Sequence, residues 1–254
     1  MIRKLNITED TGMLFAAMDD TLILSAQQGI MGEIYGTGEG TVISAAVVSG
    51  DFSFFAGKPD LELARFVPGG CGKNFTIAVP ENEQWCRMLE LAHGEKAVRG
   101  TRYAIKKETG IFYPEKLRCI VNSLPAGYTL RRIDEDIYYK CVEQDWSRDF
   151  VANFADFGQY QQIGLGFVVL HGDQIVSGAS SYTAYRGGIE VEIVTREDHR
   201  RFGLASVCGA ALILKCLELD LYPSWDAANI RSVGLAEKLG YHFSHTYPVY
   251  EISL

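Results

Sequence analysis

Arg200 and Arg201 stand just before Gly203, Ala205 and Ser206, where the charged stretch TREDHRR gives way to the apolar run FGLASVCGAALILKCLE. Residues of these types at this spacing can hold an anion. The first turn of a helix leaves backbone N–H groups without intrahelical partners, and the helix dipole adds partial positive charge there. A glycine and small side chains let a phosphate approach the main chain closely. A solvated arginine loop ahead of an ordinary helix accounts for the same residues, so alone the stretch leaves both readings open. HRRFGLA lacks the second glycine and the Gly-Lys-Ser/Thr ending of a Walker-type loop, and no G-x-G-x-x-G precedes a helix.

A second chemistry lies just upstream, in GGIEVEIVT, which alternates with period two. Glu190 and Glu192 are two apart and share one strand face if no bulge intervenes. An alkylammonium group titrates near 10, so an amine nucleophile needs a base before it can attack, and a strand carboxylate can serve. One glutamate can then be the base and the other an anchor for an ammonium group. A wet strand face explains the same pair without chemistry. His93, His171, His199, His242 and His245 pair with no Ser or Cys nucleophile in a recognisable motif. The six cysteines, Cys71, Cys86, Cys119, Cys141, Cys208 and Cys216, form no C-x-x-C pair and none has metal-ligand spacing to a histidine. We expect no metal site and a reduced, cytoplasmic chain.

These residues need a scaffold, and the chain is large enough to build one. It has 254 residues, 47% hydrophobic and 22% charged, enough for one large or two modest domains. A formal net charge of −8 argues against nucleic acid as a partner, since phosphate neutralisation needs a basic face. The N-terminus lacks an apolar signal core, and the longest apolar run, Ala210 to Leu214, is far short of the roughly 20 residues of a membrane span, so we expect neither export nor an anchor.

Patterning predicts a helix in TEDTGMLFAAMDDTLILSAQ, then glycine-punctuated strands with a hairpin at Ser49-Gly50-Asp51. NFTIAVP reads as a strand, ENEQWCRMLELAHG as a helix burying Trp85, Met88, Leu89 and Leu91, and GTRYAIKKE as another strand. Pro114 and the polar residues after it suggest a boundary. From Ala126 onward the order is β-α-β-β-β-α-β-α-β, with DWSRDFVANFADFGQYQQIG helical, a hairpin at His171-Gly172-Asp173, and terminal strands in YHFSHTYPVYEISL. The expectation is an α/β (α+β) protein with a smaller mixed N-terminal domain at 1–122 and a second domain at 123–254.

Arg200-x-x-Gly203-x-Ala205 after a strand resembles the Gln/Arg-x-x-Gly-x-Gly/Ala signature of the GCN5-related N-acetyltransferases. About 29 residues downstream, WDAANIRSVGLAEKLGY resembles that family's second signature through Asn229, Ser232, Lys238, Gly240 and Tyr241. The resemblance covers about the last 130 residues and is closest to a bacterial subgroup of two-domain members. It implies the GNAT fold, a mixed central sheet splayed between two strands and flanked by helices. Acetyl-CoA would lie in the V-shaped opening between IEVEIVT and LYPSW.

Carried over by position, Val194 and Thr195 would offer main-chain groups to the pantetheine and thioester. Arg201, Phe202, Gly203, Leu204, Ala205 and Ser206 would surround the pyrophosphate, with Arg200 opening the motif. Asn229 and Ser232 would lie near the coenzyme on the second arm, although both also read as caps of a helix. Glu192 and Glu190 are the candidate bases. Many relatives carry a tyrosine seven residues after the asparagine to protonate the leaving thiolate, and here that position is Ala236. Tyr241, Tyr247 and Tyr250 read as strand packing, and Trp225 as a core plug.

The implied activity is acetyl-CoA-dependent N-acetylation of a primary amine, with acetyl-CoA as co-substrate and no metal. The alternative is a non-catalytic coenzyme-A-binding sensor, and the N-terminal half can also be read as a degenerate second acyltransferase-like domain. We expect that half to cover one side of the acceptor cleft. The oligomeric state is open, a homodimer included.

Overall fold

The computed structural model describes residues 1–6, 11–66 and 74–253. The chain divides into two compact units, Met1–Arg102 with Thr246–Leu254, and Tyr103–His245. The expected boundary near residue 122 therefore falls inside the second unit. Pro114 does not end a domain. It opens a helix, α4 (Pro114–Asn122), where its missing N–H costs nothing and its φ is already helical.

In the first unit, β1 (Arg3–Lys4), β2 (Glu33–Thr37), β3 (Ser44–Ser49) and β4 (Phe52–Gly57) form an antiparallel series, and β5 (Phe75–Pro80) runs parallel to β4. The hairpin at Ser49-Gly50-Asp51 forms as expected, with Gly50 at φ 57 supplying the left-handed turn residue. α1 (Thr21–Gln27) is much shorter than the helix expected from residue 8, of which residues 8–10 lie outside the described residues. Asp20 explains the late start, because its carboxylate caps the helix by accepting from the Leu22 N–H. α2 (Leu61–Arg65) and α3 (Glu83–His93) pack with the sheet through Leu63, Trp85, Cys86 and Leu89, against Phe55, Tyr250 and Ile252. Leu91, expected inside, is exposed, since two helical residues beyond Leu89 turn it by about 200° to the opposite side.

The second unit holds a five-stranded sheet of β7 (Tyr128–Arg132), β8 (Gly166–His171), β9 (Gln174–Tyr185), β10 (Gly188–Thr195) and β11 (Tyr222–Ser224), in the order β11-β10-β9-β8-β7. Only β10 and β11 are parallel. α5 (Glu135–Val142) follows β7 as expected. The next stretch is less helical than expected, with a single 3-10 turn at Arg148–Phe150 and α6 only at Phe157–Ile163. Asp156 starts that helix by capping the Gln159 N–H, which cuts the helix off from the residues before it.

α7 (Leu204–Glu218) is the buried helix of this unit and is apolar nearly all round, as a helix covered on most sides must be. It packs on β8, β9, β10 and β11, and α4 and α8 (Ile230–Leu239) pack against it. β12 (Asp226–Ala227) pairs with Tyr103 and Ala104 at the end of β6 (Ala97–Ile105). The C-terminal stretch is one strand, β13 (Phe243–Ser253), where terminal strands were expected, and its last residues pair with β5. Leu117, the buried residue of α4, is fully enclosed. Leu117→Ala should lower unfolding free energy by about 2–5 kcal/mol in urea titration, through lost apolar burial and a cavity beside α7.

Candidate functional site

β10 and β11 are partners only at Gly188, Ile189 and Glu190, opposite Tyr222, Pro223 and Ser224. β10 then runs on for five residues to Thr195 beside β9 alone, while β12 belongs to the other ladder. The strands part immediately after Glu190. That leaves one edge of β10 with main-chain groups that no neighbouring strand uses.

The ladder shows which groups those are. The Arg196 N–H donates to the Val176 carbonyl, which fixes the alternation of the antiparallel β9–β10 pair. Val194 and Glu192 therefore turn their main-chain groups toward β9, and the Ser177 hydroxyl donates to the Val194 carbonyl from that side. Ile193 and Thr195 turn theirs to the open edge. Val194, which the resemblance puts beside the coenzyme, thus turns its main chain to β9, and Ile193 turns its own to the open edge. Strand parity would have found it once the pairing to β9 was known.

At the end of β10 the chain crosses a 3-10 turn at Glu197–His199 and enters α7 through Arg200, Arg201, Phe202 and Gly203. The helix mouth differs from the others among the described residues. α1, α2, α3, α5, α6 and α8 each begin at an Asp or Asn whose side chain accepts first-turn N–H groups, and α4 begins with proline. α7 begins at Gly203, with φ 79 and no side-chain cap. Arg201 is also left-handed, at φ 69, so the backbone reverses twice just ahead of the helix start. Leu204 is buried, Ala205 half-buried and Ser206 buried, and the last two have small side chains.

The arginines do not all face this mouth. Arg200 donates from Nε to the Thr195 carbonyl at 3.3 Å and pairs with Glu197, bracing the loop to the end of β10. Phe202 is 54% exposed and lies against Tyr128, whose hydroxyl meets His199 Nδ1 at 2.9 Å. The cation that reaches the first turn of α7 is Lys238, which donates from Nζ to Ser206 Oγ at 3.0 Å. Lys238 belongs to the second signature, which implies no ligand role for it.

Asn229 caps α8 by accepting from the N–H groups of Arg231 and Ser232. The Ser232 hydroxyl accepts from Trp225 Nε1 at 3.1 Å, and Trp225 is buried as the core plug expected of it. Gly240 ends α8 at φ 116, in the left-handed position that favours glycine after a helix. Tyr241 is buried and its hydroxyl donates to the Pro223 carbonyl, and Tyr250 lies in the first unit's core.

The two carboxylates occupy unlike places. A bulge does intervene, between Glu190 and Val191 in the β9 register, where Glu190 opposes Thr183 and Val191 opposes Ser181. The extra residue is Tyr182 of β9, so the alternation along β10 itself is kept and the two glutamates stay on one face. Glu190 is 7% exposed and sits in the last paired position before the strands part. Its charge adds to the burial that raises the phenols of Tyr222 and Tyr241. Glu192 is half-buried and stands two residues into the open segment. Among the described residues no group of three or more His, Cys, Asp or Glu side chains is arranged to hold a metal ion, and no helix is long and apolar enough to cross a membrane.

The family model for the GNAT acetyltransferases matches residues 12–250. The chain belongs to that family. With it come the fold, two strands that part in a mixed sheet, and membership of a class of acyl-transferring enzymes. The match extends through the first unit, well beyond the last 130 residues in which the motifs are readable. The uncharacterized N-acetyltransferase YdfB of Bacillus subtilis (strain 168) is 36% identical over 129 residues, half of this chain and 49% of that protein. The aligned part thus spans about half the length of that curated relative. A GCN5-related N-acetyltransferase-like protein of Streptococcus suis 89/1591 has a crystal structure that superposes with a TM-score of 0.89 at 42% identity, over 94% of this chain and 95% of that one. A GNAT-family protein of Novosphingobium aromaticivorans DSM 12444, at 13% identity and a TM-score of 0.56 over 92% and 95% of the chains, shares the fold.

Proposed function

We propose that the chain is an acetyl-CoA-dependent N-acetyltransferase acting on a primary amine, with the coenzyme lying along the open edge of β10. The parting of β10 from β11 after Glu190 carries this reading. The residues present suit the coenzyme: Ile193 and Thr195 offer main-chain groups at pantetheine spacing, and α7 offers uncapped N–H groups with Lys238 beside them. Leu204, Ala205 and Ser206 leave room for a pyrophosphate, and the loop residues Arg201, Phe202 and Gly203 close over it. Asn229 and Ser232 serve the site by holding α8, and hence Lys238, in place.

Acetyl-CoA supplies an acetyl group activated as a thioester, which an amine nitrogen attacks as the carbon–sulfur bond breaks. Glu192 takes the proton from the incoming ammonium, since it is the carboxylate on the open segment. Glu190 sits deeper and supplies negative charge near the bottom of the opening. Ala236 is buried in α8 and offers no proton, so the thiolate leaves as the anion or is protonated by water.

The first unit repeats the strand pattern of the second, an antiparallel series closed by one parallel pair, but its opening is shut. β4 stays paired with β5 from Phe52 to Phe55, and the Glu81 N–H extends the ladder by donating to the Phe55 carbonyl. The Gly57 carbonyl takes Trp85 Nε1, the Gly57 N–H takes the Glu81 carboxylate, and Asp60 caps α2. We assign that unit no coenzyme. Calorimetric titration with acetyl-CoA should give one saturable site per chain. No binding at millimolar acetyl-CoA would end the acetyltransferase reading, and two equivalent sites would end the assignment of the first unit. Saturable binding without release of free coenzyme A thiol across an amine panel would favour the sensor.

A further inference from the structure

We propose that Ser177 is the positioning residue for the coenzyme-facing edge of β10. The inference rests on the reading above that acetyl-CoA lies along that edge. Past Glu190 this segment has β9 on one side and, among the described residues, no strand on the other, so its orientation is set from β9.

Thr195 and Ser177 stand opposite each other in a non-hydrogen-bonded pair, the kind that brings side chains closest. Ser177 is fully buried, and its Oγ lies 2.7 Å from Thr195 Oγ1, 3.3 Å from the Val194 carbonyl oxygen and 3.8 Å from Cys208 Sγ. One proton arrangement satisfies all four groups. Burial pushes the Cys208 thiol up to about 12, so it stays an S–H donor to Ser177. Thr195 donates to Ser177, and Ser177 donates to the Val194 carbonyl.

The hydroxyl thus ties two successive residues of β10, one through its carbonyl and one through its side chain. With both held, the peptide between them cannot rotate about the strand axis. The Thr195 N–H then points to the open edge, and the Thr195 carbonyl meets Arg200 Nε, so the same node also fixes where the loop into α7 departs. A serine with this role touches no coenzyme and acts through Val194 and Thr195.

The test compares wild type, Ser177→Ala, Thr195→Val, the double variant and Thr195→Ser, using acetyl-CoA as the probe. Calorimetry gives Kd, steady-state rates with an accepted amine give KM and kcat, and thermal melts report the fold. Ser177→Ala and Thr195→Val should each raise Kd and KM for acetyl-CoA roughly tenfold, the worth of one hydrogen bond, with kcat within about twofold. The double variant should be no worse than Ser177→Ala, because that change alone already removes both ties. Thr195→Ser, which keeps the hydroxyl, should bind as wild type does. A lowered melting temperature with unchanged Kd in Ser177→Ala would make the network structural only and overturn the proposal, as would additive losses in the double variant. Failure of wild type to bind acetyl-CoA would instead overturn the coenzyme reading, and this inference with it.

Discussion

Gly203→Asp should abolish measurable acetyl-CoA binding at micromolar coenzyme while the free protein melts close to wild type. The position is the mouth of α7, left-handed at φ 79 and without a side-chain cap. A Cβ there meets nothing within 4 Å, so space is no obstacle, and aspartate tolerates the left-handed region better than most residues. The new carboxylate would stand where the pyrophosphate is proposed to bind. Two like charges about 4 Å apart at a protein surface repel by up to about 4 kcal/mol, and even partial screening leaves roughly a hundredfold loss of affinity. Gly203→Ala separates charge from backbone, since it carries only a left-handed penalty of about 1–2 kcal/mol and should weaken binding far less. Equal losses in both variants would show that loop conformation, and not an anion at the helix mouth, governs binding.

The two signatures made the second unit legible because both are local. Gly203 and Gly240 are glycines where the backbone reverses, Asn229 caps the helix it begins, and the period-two alternation of GGIEVEIVT marks a strand. What the sequence hid depends on pairing across the chain. The direction of the Val194 main chain follows from the register with Ser177 and Gly178, which no local pattern encodes. Lys238 reaches Ser206 only because α8 packs on α7, 32 residues away in sequence. The division into units is hidden for a similar reason: Pro114 looks like a break locally, yet it starts a helix that packs against α7.

The first unit shows the converse. Its alternating strands and the Ser49-Gly50-Asp51 turn were readable, but its strand order was not, because α2 is only five residues long and the loop before it carries no signature. Asp60 replaces the open helix mouth with a built-in carboxylate cap, and Trp85 and Glu81 consume the last main-chain groups of β4. The closure of that opening is a property of three side chains from separate segments.

Glu192→Gln should lower kcat by about 10²- to 10⁴-fold at neutral pH, the usual worth of a positioned base, with little change in Kd for acetyl-CoA. The two carboxylates lie on one face of β10, and their difference is depth: Glu190 is enclosed in the last paired position, while Glu192 is half-buried on the open segment. An ammonium arriving in the opening meets Glu192 first. The pH profile gives a readout that loss of folding cannot imitate. With Glu192 present, the bound ammonium loses its proton to the protein, so the rate should level off well below the amine's own pKa near 10. With glutamine there, only amine already neutral in solution can react, so the rate should climb about tenfold per pH unit toward 10 and the deficit should narrow. Glu190→Gln should act mainly through amine KM and melting temperature, because its carboxylate supplies charge from below. A collapse of kcat in Glu190→Gln, with Glu192→Gln near wild type, would transfer the base to the deeper residue and place the acceptor nitrogen at the apex of the opening.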